Sequence, residues 1–247
     1  VFPRSLLPEI AARTVGPQDL DPALLAELAD AASPTAKPLD DPMLQALARD
    51  AVAPDLTYAR AAEVLHKAYA PSLLVVSFHG YDVAGHAFYR YAHPEAFGNV
   101  AAEDARRYGR VLGRYASLVE RWVGQIERDL GPWDVLVVVS GRGLAPTPLW
   151  RRLVGTLTGT SVGAASHGGA PDGVLLVVGP GIRPGAVPYN ASVLDVAPTI
   201  LYLMGLPVAR DMEGRVLTEI LEPAFAQENP VTFIPSYESL AVAPAAP

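Results

Sequence analysis

The chain has 247 residues, half of them hydrophobic, and a formal net charge of −7 at neutral pH. That length is enough for one large domain or two small ones with a sizeable core, and the acidic balance argues against a nucleic-acid-binding surface. The absence of cysteine excludes disulfides, thiolate metal sites and cysteine nucleophiles. No apolar run reaches the roughly 18–20 residues that span a bilayer, so we expect a soluble protein without a transmembrane segment. Its compartment, cytoplasmic or periplasmic/secreted, stays open.

The first part of the chain predicts helices and carries no recognisable chemistry. Asp21-Pro22 and Asp41-Pro42 each place a proline just inside a helix start. The segment Ser33–Pro38 between them is typical of a loop, and a further helix is expected from Asp55 to Ala70. We interpret residues 1 to 60 as an Ala/Pro-rich helical cap or layer.

Three near-continuous apolar runs predict buried strands, at residues 73–78, 135–139 and 173–178. Between the first two, residues 103–130 repeat apolar side chains every three to four positions and predict the longest helix. A long Gly/Ser/Thr-rich connection, including the loop at 158–160, precedes the third run. Val/Leu runs separated by helices are typical of a parallel sheet covered on both faces.

The predicted fold class is therefore α/β, a three-layer sandwich with a mostly parallel central sheet covered by helices. We expect one domain over residues 1–247, with its core at 61–221 and a C-terminal tail at 222–247. A last amphipathic helix is expected from Ser192 to Leu203, closed by Gly205.

Two candidate metal ligands follow the first predicted strand. Asp82 and His86 are four residues apart, so a helical turn places both side chains on one face. Ligands collect outside the carboxyl ends of strands in open α/β sheets, and imidazole with carboxylate suits zinc and related metals. His167 is a third candidate, and three protein ligands leave a position open for water or substrate. Each piece alone is also common by chance, as a surface pair or a surface loop histidine.

A wider pattern joins these residues. Asp82-x-x-Gly85-His86, His167 ahead of Asp172-Gly173, and the segment Asp195–Thr199 together resemble the alkaline phosphatase superfamily. The similarity is closest to its type I phosphodiesterase and nucleotide pyrophosphatase branch, and it covers roughly residues 60 to 221. The resemblance implies an alkaline-phosphatase-like sandwich with its metal site at the strand ends.

The resemblance also implies roles for these residues. Asp82, His86 and His167 match the three protein ligands of one of the family's two metals, with zinc or manganese as the expected cofactor. Asp195–Thr199 matches the start of a later helix and is expected to be a structural cap.

The chain departs from the family at the second metal. Ser140-Gly141-Arg142-Gly143 stands where the family has Ser-Asp-His-Gly. Glycine offers no ligand and a guanidinium repels a cation, so one metal site is expected and a second is doubtful. Arg142 could stand in as a phosphate contact; the alternative is an arginine that points to solvent.

Residues 1–60 contain nothing that resembles the family's N-terminal nucleophile segment, so the catalytic nucleophile is unknown or is replaced by water. Without that segment a central strand is missing, and three alternatives stay open: a differently closed sheet, another chain in an oligomer, or a longer protein. The start at Val1, without methionine or a signal-peptide pattern, fits a processed chain or a fragment.

Two functions follow from the sequence. The first is a metal-dependent phosphoric-ester hydrolase of the phosphodiesterase or nucleotide pyrophosphatase type, incomplete in this chain, with a small phosphorylated substrate. The alternative is a non-catalytic pseudoenzyme of the same fold that acts in binding or assembly. A phosphosugar mutase ranks below both because it needs two metals. Whether the chain is an active enzyme is left open.

Overall fold

The structure, a computed structural model, describes residues 4–29, 40–160 and 162–238. The chain forms two compact units: unit 1 consists of Val1–Asp129 and Leu144–Pro171, and unit 2 of Leu130–Gly143 and Asp172–Pro247. Two compact units neither require nor exclude a single folding domain, so the one-domain prediction stays a prediction. The predicted loop Ser33–Pro38 lies outside the described residues.

Helices make up about 53% of the structure. Several short 3-10 or π turns adjoin the α-helices. The helices are α1 (Leu7–Ala11), α2 (Pro22–Leu28), α3 (Pro42–Leu47), α4 (Ala53–Tyr69), α5 (Gly80–Ala92), α6 (Ala102–Tyr108), α7 (Val111–Asp129), α8 (Leu149–Thr158), α9 (Val196–Leu203) and α10 (Pro223–Glu228). The strands are β1 (Leu136–Arg142), β2 (Ala145–Pro146), β3 (Ala165–Ser166), β4 (Asp172–Val178), β5 (Val208–Ala209) and β6 (Phe233–Ile234).

The predicted helix starts in unit 1 are confirmed. Asp21 caps α2 by accepting a 2.8 Å hydrogen bond from the Ala23 amide, and Asp41 caps α3 by accepting one of 2.9 Å from the Met43 amide. Each side chain satisfies an amide that the helix itself leaves unpaired. The helix predicted from Asp55 is α4. The helix predicted over residues 103–130 is divided into α6 and α7.

Helices α5 and α7 pack together in the core of unit 1, to which α2 and α3 also contribute. Val111, Tyr115 and Trp122 recur at helical spacing on α7 and are almost fully buried, as is Phe88 of α5. Each such side chain stabilises the fold by about 1.5–3 kcal/mol on burial. This packing fixes α5, the helix that carries two of the candidate ligands.

The predicted fold class is wrong. Residues 73–78 form no helix or strand, and Leu73 and Val75 are exposed, so the buried strand predicted there is wrong. The second and third predicted strands, β1 and β4, exist, but they pair with each other antiparallel, Val138 opposite Leu176. The remaining sheets are a two-residue antiparallel pair, β2 with β3, and a two-residue parallel pair, β5 with β6. The described residues therefore contain no mostly parallel central sheet.

The misleading signal was the continuous apolar composition of β4. Leu175 and Val177 do pack on the core of unit 2, around Tyr202 and Leu217. Val174, Leu176 and Val178 on the opposite face are more than half exposed, at 53%, 58% and 55%. A run of apolar residues predicts a strand but not the direction of its partner or the covering of both faces.

Helix α8 is the largest element that the sequence analysis missed, because its segment was expected to be an irregular connection. Arg151 and Arg152 lie within it, and its apolar residues Leu149, Leu153 and Leu157 are exposed. The predicted loop at 158–160 follows its end, where Gly159 adopts a φ of +68° that favours glycine.

Unit 2 contains the predicted last helix, α9. Asp195 stands at its N-cap position, but its side chain makes no hydrogen bond to the helix. Its carboxylate instead accepts 2.8 Å hydrogen bonds from the amides of Ser192 and Arg215, so its role is structural. The described part of the predicted C-terminal tail contains α10 and β6. No helix in residues 4–29, 40–160 or 162–238 is long and apolar enough to cross a bilayer.

Candidate metal centre

Helix α5 presents the first two candidate ligands on one face. Asp82 and His86 are separated by one turn, and the His86 Nε2 atom lies 3.6 Å from Asp82 Oδ1. The four-residue interval therefore places both side chains on one helix face, as predicted from the sequence. The helix follows residues 73–78, which do not form the predicted strand.

The His86 ring is oriented by a backbone carbonyl. Its Nδ1 atom lies 2.8 Å from the Ala165 carbonyl oxygen. A carbonyl only accepts hydrogen bonds, so Nδ1 carries the proton and Nε2 keeps its lone pair. That lone pair is on the nitrogen nearer Asp82, which is the arrangement found around metal-bound histidines.

The carbonyl belongs to β3, and hydrogen bonds hold β3 and the residues before it in place. β2 pairs with β3, and the buried Thr147 donates from its hydroxyl to the Gly163 carbonyl at 2.7 Å and from its amide to the Ala164 carbonyl at 2.9 Å. Ala164 in turn donates to the His86 carbonyl at 3.0 Å. A Cβ on Gly163 would lie 3.1 Å from His86 Nδ1, so glycine permits this close approach.

His167 completes the group directly after β3. Its Nε2 atom lies 3.0 Å from Asp82 Oδ1. One ligand atom from each of Asp82, His86 and His167 lies within 4.8 Å of the others, and no other such group of three occurs among the described residues. The three side chains are 39–49% exposed, which leaves the centre open to a small molecule. They could hold a metal ion.

A buried carboxylate anchors the start of α5. Asp55 of α4 has no exposed surface. It accepts 3.0 Å hydrogen bonds from the amides of His79 and Gly80 and one of 2.9 Å from the Tyr115 hydroxyl. Burial raises the pKa of Asp55, while these donors oppose the rise. A side chain on Gly80 would overlap the Tyr115 hydroxyl, so the helix starts at a residue without one.

The two residues predicted to replace second-metal ligands lie in unit 2. Gly141 and Arg142 are the last residues of β1, where Arg142 stands opposite Asp172. They lie within a strand ladder, and neither offers a metal ligand. The role of Arg142 as a phosphate contact stays a prediction.

The other three histidines have separate partners. His66 lies 3.3 Å from the Asp129 carbonyl, His79 lies 3.1 Å from the Ser77 hydroxyl, and His93 lies 3.4 Å from Glu95. Only His86 and His167 approach the same carboxylate, that of Asp82, so the other histidines are not part of the candidate metal centre.

The sequence analysis did not predict the roles of Asp55 and Thr147, which position the centre. It also did not single out Arg90, which lies four residues after His86 on α5. Asp55 and Thr147 act through contacts with residues distant in sequence, and no local pattern marks them.

Comparisons with protein families, curated proteins and solved structures find no match for the chain. The resemblance to the alkaline phosphatase superfamily therefore stays a prediction, carried by its motifs.

Proposed function

We propose that the chain is a metal-dependent hydrolase of phosphoric esters, with one zinc or manganese ion held by Asp82, His86 and His167. The observation that carries the proposal is the approach of two imidazole Nε2 atoms to one carboxylate oxygen, with one ring already oriented. The motif resemblance supports phosphoric esters as the substrate class.

The donor set fits a borderline-soft dication. Two neutral imidazoles and one carboxylate would leave a bound dication with one uncompensated positive charge, which favours an anionic substrate. Three protein ligands leave a coordination position open, and their partial exposure allows a phosphate to reach it. When bound, the metal supplies Lewis-acid polarisation of a phosphoryl oxygen.

The residues of the chain have defined parts in this proposal. Asp82 balances the charge of the centre, and the Ala165 carbonyl keeps His86 in the tautomer that can donate its Nε2 lone pair. The attacking group in this proposal is water, because no serine, threonine or cysteine in the matched motifs stands where the family has its nucleophile. Without a second metal, the rate depends on how well other positive groups balance the phosphate charge.

A non-catalytic relative is the second candidate function. It is favoured by the substitution of both second-metal ligands and by the position of Gly141 and Arg142 in a paired strand. On this alternative the cluster would bind a metal or an anion without turnover.

Elemental analysis of protein purified without chelator tests the metal centre. We expect about one zinc or manganese per chain, lost in Asp82→Ala and in His167→Ala. His93→Ala is the matched control, because His93 is an exposed histidine beyond the end of α5. Metal-free protein with native circular dichroism would refute the centre, as would equal metal content in all four proteins.

Activity is measured separately with bis(p-nitrophenyl) phosphate and p-nitrophenyl phosphate at defined zinc or manganese. Turnover that disappears in Asp82→Ala but not in His93→Ala supports the hydrolase. A protein that binds stoichiometric metal and hydrolyses neither ester favours the non-catalytic alternative.

A further inference from the structure

A cavity of about 350 Å³ adjoins His86 within unit 1. Its lining includes the side chains of two arginines, Arg90 and Arg152, together with Asn99 and Phe97. No carboxylate is among the described residues that line it. The cavity therefore combines two fixed positive charges with a histidine of the metal cluster.

Arg90 continues the row of functional residues on α5, since Asp82, His86 and Arg90 follow at intervals of four. Its guanidinium donates to the Asn99 side-chain oxygen at 3.3 Å and lies 5.6 Å from the centre of the Tyr91 ring. Its Nε atom is buried and has no hydrogen-bond partner among the described residues. A buried charged donor without an acceptor indicates a site for an acceptor.

Arg152 reaches the same cavity from α8. Its guanidinium lies 4.6 Å from the centre of the Phe97 ring and donates to the Ala96 carbonyl at 3.5 Å. Two guanidinium groups at one small cavity repel each other, and an anion between them removes that repulsion. Their planar forks suit the two oxygens of a phosphate or carboxylate.

We infer that this cavity is a subsite for an oxyanion and that Arg90 is its specificity-determining residue. As a statement about substrate, the inference rests on the proposed function: the preferred ester carries a second phosphate or carboxylate beside the phosphate at the metal. Because His86 lines both places, one substrate can occupy both. Binding of the anion itself needs no metal.

A second cavity of unit 1 does not offer the same chemistry. It measures about 570 Å³ and is lined by Arg13, Arg60 and Lys67. Glu63 also lines it and pairs with Lys67 at 2.8 Å, so it already contains an anion of the protein. The cavity beside His86 is therefore the better oxyanion site.

Isothermal titration of chelator-treated, metal-free protein with inorganic phosphate and with malonate tests the subsite. We expect binding in the millimolar range or tighter, weakened at least about tenfold in Arg90→Met. Arg106→Met, an exposed arginine on α6, is the control and should bind as the unaltered protein does. Tighter binding of phosphate would identify a second phosphate on the substrate, and tighter binding of malonate a carboxylate.

Asp82→Ala separates this inference from the proposed function. That variant should lose metal yet keep its affinity for the anion. Equal affinity of Arg90→Met and the unaltered protein would overturn the subsite, and so would failure of both anions to bind at about 10 mM. Loss of anion binding in Asp82→Ala would assign the anion to the metal cluster and would also overturn it.

Discussion

Replacing Asp55 by alanine tests the buried anchor at the start of α5. The substitution leaves three donors without their acceptor: the amides of His79 and Gly80 and the hydroxyl of Tyr115. The Gly80 amide and the Tyr115 hydroxyl are buried, and each costs about 1–3 kcal/mol when left unsatisfied. The His79 amide is only partly buried and adds less. Removal of the buried charge returns part of that, so we expect Asp55→Ala to lower the free energy of unfolding by about 3–5 kcal/mol.

Two further variants sharpen this test. Asp55→Asn keeps the shape and one acceptor oxygen, so its loss should be about 1–2 kcal/mol. Asp21→Ala removes an exposed cap on α2 and should cost only about 1 kcal/mol. Urea unfolding followed by far-ultraviolet circular dichroism measures all three. A loss below about 1 kcal/mol for Asp55→Ala would refute the reasoning, because two buried donors and one partly buried donor without an acceptor should cost more than that.

The same residue makes a prediction about pH. Burial raises the pKa of Asp55, so the folded state binds more protons than the unfolded state between about pH 3.9 and the raised value. This contribution to stability is present below that window and decreases as the pH rises through it. Asp55→Asn should lack this slope.

Two more perturbations follow. Gly163→Ala should weaken zinc binding about tenfold or more with little change in the free energy of unfolding, because its Cβ crowds the His86 Nδ1 atom that bonds the Ala165 carbonyl. Zinc titration with a competing chelator measures the affinity. An unchanged affinity would contradict the role of this segment in orienting His86. Arg215 lowers the pKa of Glu219 from 4.5 to about 2, so their pair is fully present above pH 4.5 and is lost as the pH falls toward 2. Glu219→Gln should cost about 0.5–1 kcal/mol at pH 7, since both side chains are partly exposed, and a pH-independent difference in denaturation would count against the pair.

The sequence predicted the local parts of the structure well. The aspartate-proline pairs define helix starts through contacts within a few residues, and the interval between Asp82 and His86 defines a shared helix face. Such features need only backbone geometry and neighbouring atoms, so they can be derived without knowledge of the rest of the chain.

The approach of His167 to Asp82 could be expected only from the resemblance, because 85 residues separate them along the chain. The structure brings His167 there through the β2–β3 pair and the hydrogen bonds of Thr147. The spacing of these residues along the chain predicts neither contact. The same is true of Asp55, which reaches the start of α5 from the preceding helix.

The sheet was mispredicted for a different reason. A Val/Leu run is compatible both with a strand that is covered on both faces and with one that is covered on a single face. Only the partner and its direction distinguish them, and β4 has an antiparallel partner with Val174 and Leu176 exposed. Helix α8 was not predicted, because its segment contains glycine and threonine, which are typical of loops, beside apolar residues at helical spacing.

The β1–β4 ribbon has a practical consequence for work with this protein in solution. Its apolar outer face is uncovered in unit 2, and the described residues add no third strand to either edge. Such edges accept strands from neighbouring molecules, while the net charge of −7 keeps the molecules apart at low ionic strength. Added salt should therefore increase aggregation rather than solubility, and concentrated samples should be prepared in dilute buffer.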